Sequence, residues 1–298
     1  MRIYPELLVD QEFKSLGDQG FSGTLNDRQF AFLRSKGYTN SLADMMASWL
    51  SYSPANLFSL NEPGAWYDPS DITTLFQDTA GTTPVTATGQ SVARINDKSG
   101  RGNDATQATL AQRPTYQIDG NGRPYLLFDG VDDSMVTPTI TPGIDKVQVF
   151  AGLRKLSDAL AIGVFCELSA ATPSNNGAFR LGAPGSGASY GWLSKGTILV
   201  QAVASGFAAP TTNVVTGIGD ISGDVATIRV NGVDTQTTTT DQGTGNFLAY
   251  PLYLGRRGGV GNSFNGQMYS LIVRFGSNLD NTTITRTENW VNSKTGAY

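Results

Sequence analysis

The sequence predicts an all-β fold, a sandwich or barrel, preceded by a short α-helical N-terminal segment. Three observations carry that reading. Charged residues make up 15% of the 298 positions, against about 25% in an average domain. There are 35 glycines and 13 prolines, so tight turns are frequent. From Ala65 onward helical periodicity gives way to short apolar or alternating runs, each bounded by Gly, Pro, Asn or Asp.

The elements follow in order. Asn26 or Asp27 can cap a helix over RQFAFLRSK, which Gly37 ends, with Phe30 and Leu33 on one side. Asn40 or Ser41 can cap a second helix, LADMMASWLS, where Leu42, Met45, Met46 and Trp49 form an apolar stripe. Two helices this short bury little alone, so their apolar faces need a partner surface, either their own domain or a larger assembly. Pro54 breaks the second helix, and SPANLFSLNEPG reads as a linker. The expected division is a helical attachment segment over 1–62 and a β domain over 63–298. Strands are expected at 90–97, 125–130, 146–155, 162–169, 178–183, 197–205, 212–222, 225–237, 250–257 and 266–276. Within 225–237, Asn231-Gly232 suits a type I′ turn and makes a hairpin. A short helix from Thr285 to Asn292 closes the chain.

Composition excludes several functions. There is no histidine, so Ser-His-Asp and Cys-His catalysis and His-ligated zinc are ruled out. The single cysteine, Cys166 in IGVFCEL, reads as a small buried hydrophobe. A net charge of −4 without a basic patch argues against nucleic-acid binding. No run of 18 apolar residues and no signal-peptide pattern occur, so neither membrane insertion nor standard export is expected.

Seven stretches stand in a recognisable order: GAWYDPSD (64–71), INDKSGRGNDATQ (95–107), RPTY (113–116), LLFDGVDDSM (126–135), IRVNGVDT (228–235), YLGRRGG (253–259) and FNGQMYSLIVRFG (264–276). Together they resemble concanavalin A-like lectin/glucanase domains of the laminin-G kind, in the versions carried by tailed-bacteriophage virion proteins. The resemblance implies a jelly-roll sandwich of two antiparallel sheets. It also implies a virion protein, made in the host cytoplasm and attached through Phe30, Leu33, Leu42, Met45, Met46 and Trp49 to a major capsid or tail protein. A homo-oligomer, with a trimer as the expected state, fits such symmetric particles. The leading expectation is a non-enzymatic module decorating or stabilising the particle. The alternative is a carbohydrate-binding adhesion module of a tail tip or fibre recognising a host-surface glycan, and a glycosidase is the third, least favoured reading.

Three local features separate these readings. Glucanases of this fold carry E-x-D-x-E on one strand, which aims alternate acids into one cleft. That pattern is absent, and Glu167 has no acidic neighbour two or four residues away, so no catalytic residue is assigned. FDGVDD (128–133) reads as a turn, with Asp129-Gly130 reversing the chain. The alternative is a calcium site at Asp132 and Asp133, joined by Asn103 and Asp104 from another loop; no other cofactor is expected. For sugars, SYGWLSKG offers Tyr190 and Trp192 beside loop glycines, and Arg256 follows a strand toward a rim; the competing reading has the two rings completing the sandwich core and Arg256 in a solvated turn. Trp66 and Tyr67 look like packing at the domain entry.

Overall fold

The computed structural model describes Ala31 and residues 52–298. Phe30, Leu33, Leu42, Met45, Met46 and Trp49 lie outside the described residues. Pro54–Leu279 and Thr287–Tyr298 form one compact unit. Asp280–Arg286, with Tyr52 and Ser53, belong to a second. Within that second unit Arg286 lies 4.8 Å over the Tyr52 ring, and Asp280 accepts the Thr283 N–H at 2.7 Å.

Two antiparallel sheets make the sandwich. Sheet one runs, in spatial order, β15 (Val233–Thr238), β14 (Val225–Val230), β13 (Thr211–Asp220), β8 (Lys146–Lys155), β17 (Asn265–Phe275), β6 (Pro124–Asp129) and β5 (Thr115–Ile118), with β1 (Gly64–Tyr67) also on β17. Sheet two runs β12 (Leu199–Ser205), β11 (Ser189–Lys195), β10 (Ala178–Gly182), β9 (Val164–Leu168), β16 (Tyr250–Leu254), β7 (Met135–Ile140), β4 (Ala105–Thr106), β3 (Arg94–Ile95) and β2 (Leu75–Phe76). Helix α1 spans Asn281–Thr295, longer at both ends than expected.

Alternation decides which residues enter the core. Val147, Val149, Ala151 and Leu153 of β8 point inward, as do Leu271, Val273 and Phe275 of β17. Facing them from sheet two are Cys166, Leu168, Phe179, Leu181, Tyr190 and Trp192. Phe179 bridges the layers: its ring lies 5.2 Å from Trp192 in its own sheet and 6.0 Å from Phe275 in the other. Cys166 is fully buried, and that burial pushes its thiol well above the usual range. The hairpin turn forms as expected, with positive φ at Asn231 and Gly232.

The outer face of sheet one is covered at one end and in the middle. At one end Leu57 and Phe58 are buried, and the Arg274 guanidinium donates to the Leu57 carbonyl at 2.9 Å, Gln148 Oε1 at 2.8 Å, Ser277 O at 2.8 Å and Glu62 Oε1 at 3.0 Å. Residues 54–62 are therefore part of the sandwich, and its boundary moves from residue 63 to Pro54. In the middle lies the part of α1 from Thr287 onward. Val291 and Thr295 sit over Gly152, Trp290 meets Trp66 edge-on at 5.5 Å, and Glu288 grips Arg229 twice, at 2.7 and 3.1 Å. Gly296 ends the helix at φ +58, where a Cβ would also strike the Arg123 guanidinium. The far end of this face, around Tyr125 and Arg154, is half-exposed.

The Arg229–Glu288 pair makes a direct test of helix docking. Glu288 is 1% exposed, and removing one partner of a buried pair strands the other charge. Glu288→Ala should cost about 3 kcal/mol in urea unfolding. Asp234 also pairs with Arg229 but is 65% exposed at its side chain, so Asp234→Ala should cost less than about 1 kcal/mol.

Candidate functional site

The structure corrects the first sugar candidates. SYGWLSK is strand β11, not a loop, and its inward side carries Tyr190 and Trp192, both 0% exposed. Trp192 Nε1 donates to the Ile218 carbonyl at 2.9 Å, and Tyr190 Oη donates to Asn213 Oδ1 at 2.8 Å. Rings buried this way complete the core and cannot stack on a sugar. Arg256 folds back, donating to the Gly259 carbonyl at 3.1 Å within its own loop. Trp66 and Tyr67 are buried at the domain entry, as read from the sequence.

FDGVDD is a hydrogen-bonded turn. Asp129 Oδ1 accepts the N–H groups of Val131 at 2.8 Å, Asp132 at 3.2 Å and Asp133 at 3.5 Å, and Asp133 Oδ2 accepts the Asp129 N–H at 3.0 Å. The carboxylates of Asp129, Asp132 and Asp133 offer oxygens within 4.8 Å of one another. Asp129 and Asp133 each commit a carboxylate oxygen to the backbone, whereas Ca²⁺ takes 6–8 oxygen ligands. Asp104 serves another loop, pairing with Arg94 at 2.6 Å and accepting the Asp97 N–H at 2.7 Å. Asn103 donates to the Gly64 carbonyl at 2.7 Å.

Sequence reasoning missed the open end of sheet one's outer face. Pairing aligns Thr212, Arg154, Gln267, Leu127 and Thr115 across five strands, all half-buried. Beside this row, Gln117 stands opposite Tyr125. A register shift between Met268 and Ser270 turns Tyr269 to the same face. The half-buried Tyr125 ring rests on buried Tyr269, centroids 5.4 Å apart and tilted 47°. Tyr269 Oη lies 2.8 Å from Gln267 Oε1 and 3.2 Å from Asp119 Oδ2. Burial, then the Asp119 charge, raises its phenol well above the ordinary range. Arg154 has a buried Nε without a hydrogen-bond partner. The face thus combines an accessible ring, a carboxylate, two amides and a guanidinium with spare donors, which is the chemistry of saccharide recognition.

Likeness to solved structures agrees with the architecture. No protein-family profile and no curated protein matches the chain. An arabinofuranosidase solved with arabinofuranosyl-α-1,2-xylobiose is similar over 82% of this chain and 65% of its own, with a TM-score of 0.57 and 17% identity. Domain 4 of an extracellular arabinanase from Geobacillus stearothermophilus, solved with arabinotriose, is similar over 76% of this chain and 98% of its own, with a TM-score of 0.51 and 13% identity. The receptor-binding domain of botulinum neurotoxin D is similar over 66% of this chain and 50% of its own, with a TM-score of 0.51 and 11% identity. The chain spans about half the length of that binding domain. Likeness at these identities is a likeness of fold: the molecule is a concanavalin A-like sandwich.

The acidic turn generates a pH test. Burial first, then the charges of Asp129 and Asp132, raises the Asp133 carboxyl to about 7. An unfolded aspartate titrates near about 4. Between these values the folded form keeps a proton that the unfolded chain has released, so stability falls as pH rises from about 4 to 7. Asp133→Asn keeps an acceptor for the Asp129 N–H and removes the titration. Melting temperature against pH should slope downward across this window in the native chain and lose that component in Asp133→Asn.

Proposed function

We propose that the chain is a non-enzymatic carbohydrate-binding module that holds a glycan on the outer face of sheet one. The observation that carries this reading is the half-exposed Tyr125 ring backed by Tyr269, with Arg154, Gln117, Gln267 and Asp119 around it. Two of the similar structures are of saccharide-complexed proteins and a third is a receptor-binding domain, which favours recognition over passive decoration. The non-catalytic part rests on Glu167. It is 0% exposed, with one oxygen accepting the Thr172 N–H at 2.7 Å and the other facing Arg257 Nε at 3.2 Å. A retaining glycosidase instead needs two free carboxyl groups about 5–5.5 Å apart.

The setting we propose is a tailed-phage particle, with host-surface glycan as ligand and the N-terminal segment joining a capsid or tail protein. The order of the seven sequence motifs is its support.

Screening the full chain on an array of bacterial surface glycans tests the function. Tyr125→Ala should weaken binding about tenfold while leaving the melting temperature nearly unchanged. Arg154→Gln should weaken it as well. Glycan binding that survives both substitutions undiminished would move the site elsewhere, and release of a reducing sugar during incubation would overturn the non-enzymatic reading.

A further inference from the structure

The outer face of sheet two holds an imbalance of charge. Phe179 and Leu181 point into the core, so Arg180 between them points outward, and Glu167 does the same between Cys166 and Leu168. The β9–β10 register sets Arg180 directly opposite Glu167, with Leu193 on its other side. Lys195, next along the outward side of β11 from Leu193, is 7% exposed. Two loops close over these residues. Residues 169–177 supply the Thr172 N–H to Glu167 and the Pro173 carbonyl to Lys195 Nζ at 2.9 Å. Residues 255–263 bring Arg257 down onto Glu167, with Gly258 against Ala170.

The single anion is fully used. Both Glu167 oxygens are engaged, by Thr172 and by Arg257. Arg180 is 2% exposed, and its guanidinium makes no hydrogen bond or ion pair with any described residue. Its Nε and the Nη2 of Arg257 are buried without partners. Lys195 has a carbonyl partner but no carboxylate among the described residues. Among the described residues, Arg257 and Arg180 thus face the Glu167 carboxylate, with Lys195 further along the same outer side, in a chain whose net charge is −4. Burial of an unpaired guanidinium is costly, and a planar pair of oxygens satisfies it best. Burial, then the neighbouring Arg257 charge, already draws the Arg180 pKa down to about 10. Arg257, 22% exposed at its side chain, marks the way in.

We propose that Arg180, Arg257 and Lys195 form an oxyanion-binding site on sheet two that takes a carboxylate or phosphate group, free or as the acid group of a larger ligand. The site stands apart from the tyrosine face on sheet one and does not depend on it.

Thermal unfolding of the full chain tests this, with inorganic phosphate, glucuronate, glucose and sodium chloride at matched ionic strength. Phosphate or glucuronate should raise the melting temperature on the order of 5 °C near saturation, and glucose and chloride should not. A rise with phosphate alone identifies a phosphate-bearing ligand, and a rise with glucuronate alone identifies an acidic sugar. Arg180→Met removes the unpaired charge at similar volume. It should melt no lower than the native chain without anion and lose the anion response. Arg257→Gln, at the exposed rim, should weaken the anion at least about tenfold, and it serves where Arg180→Met does not fold. Titrating phosphate into native chain with ¹⁵N-labelled arginine should shift the Arg180 Nε–H resonance. The proposal is overturned if no oxyanion raises the melting temperature above the chloride control, or if Arg180→Met keeps the full response.

Discussion

Strand β17 is the constraint on which the rest of the sandwich depends, because both its edges are occupied. β8 takes one edge between Gly266 and Phe275. The other edge is shared, by β6 from Asn265 to Met268 and by β1 from Leu271 to Arg274. A central strand with a core on one side must still cover its other side. Residues 54–62 supply that cover at Arg274, and the part of helix α1 from Thr287 onward supplies it over Gly152 of the adjoining β8. The irregularity at Tyr269 falls where the shared edge changes partner, and it turns the Tyr269 ring outward to back Tyr125. The candidate saccharide face is thus a consequence of how β17 is shared.

The two outer faces handle buried arginine in opposite ways. Arg274 has four acceptors, one from a carboxylate, and acts as a rivet between the 54–62 segment and the sheet. Arg180 is as deeply buried and has none among the described residues. Folding a guanidinium under two loops without an acceptor opposes stability. The loops nevertheless close on it, held by the Gly258–Ala170 approach and the Glu167 bonds to each loop.

Much of the fold was legible in the sequence, and the reason is local. Turn chemistry at Asn231-Gly232 and the apolar runs at 146–155 and 266–276 specify strands without outside help. The faces were not legible. β8, β11 and β17 are covered on both sides, so their alternation of polar and apolar residues is blurred. SYGWLSK was therefore not read as a strand, and Tyr190 and Trp192 were left open between a sugar face and the core, where the structure places them. The linker reading of 54–62 failed for a related reason: Leu57 and Phe58 show no period, and their burial depends on Arg274, 217 residues away from Leu57. The candidate sites were the least legible parts. Tyr125 could have been found by its place opposite the inward Leu126 and Phe128. Tyr269 required the register shift, and the meeting of Arg180 with Glu167 and Arg257 required the strand order of sheet two.

The sharing of β17 also has a consequence in time. During synthesis β8 emerges about 110 residues before the strand that will cover its edge. At ordinary elongation rates that interval is about 5–20 s. Throughout it one edge of this ten-residue, largely apolar strand stays unpaired, and such an edge templates pairing with other chains. The nascent chain is therefore most vulnerable to misassembly on the ribosome, before residue 265, and its yield in a cell depends on how well that window is guarded.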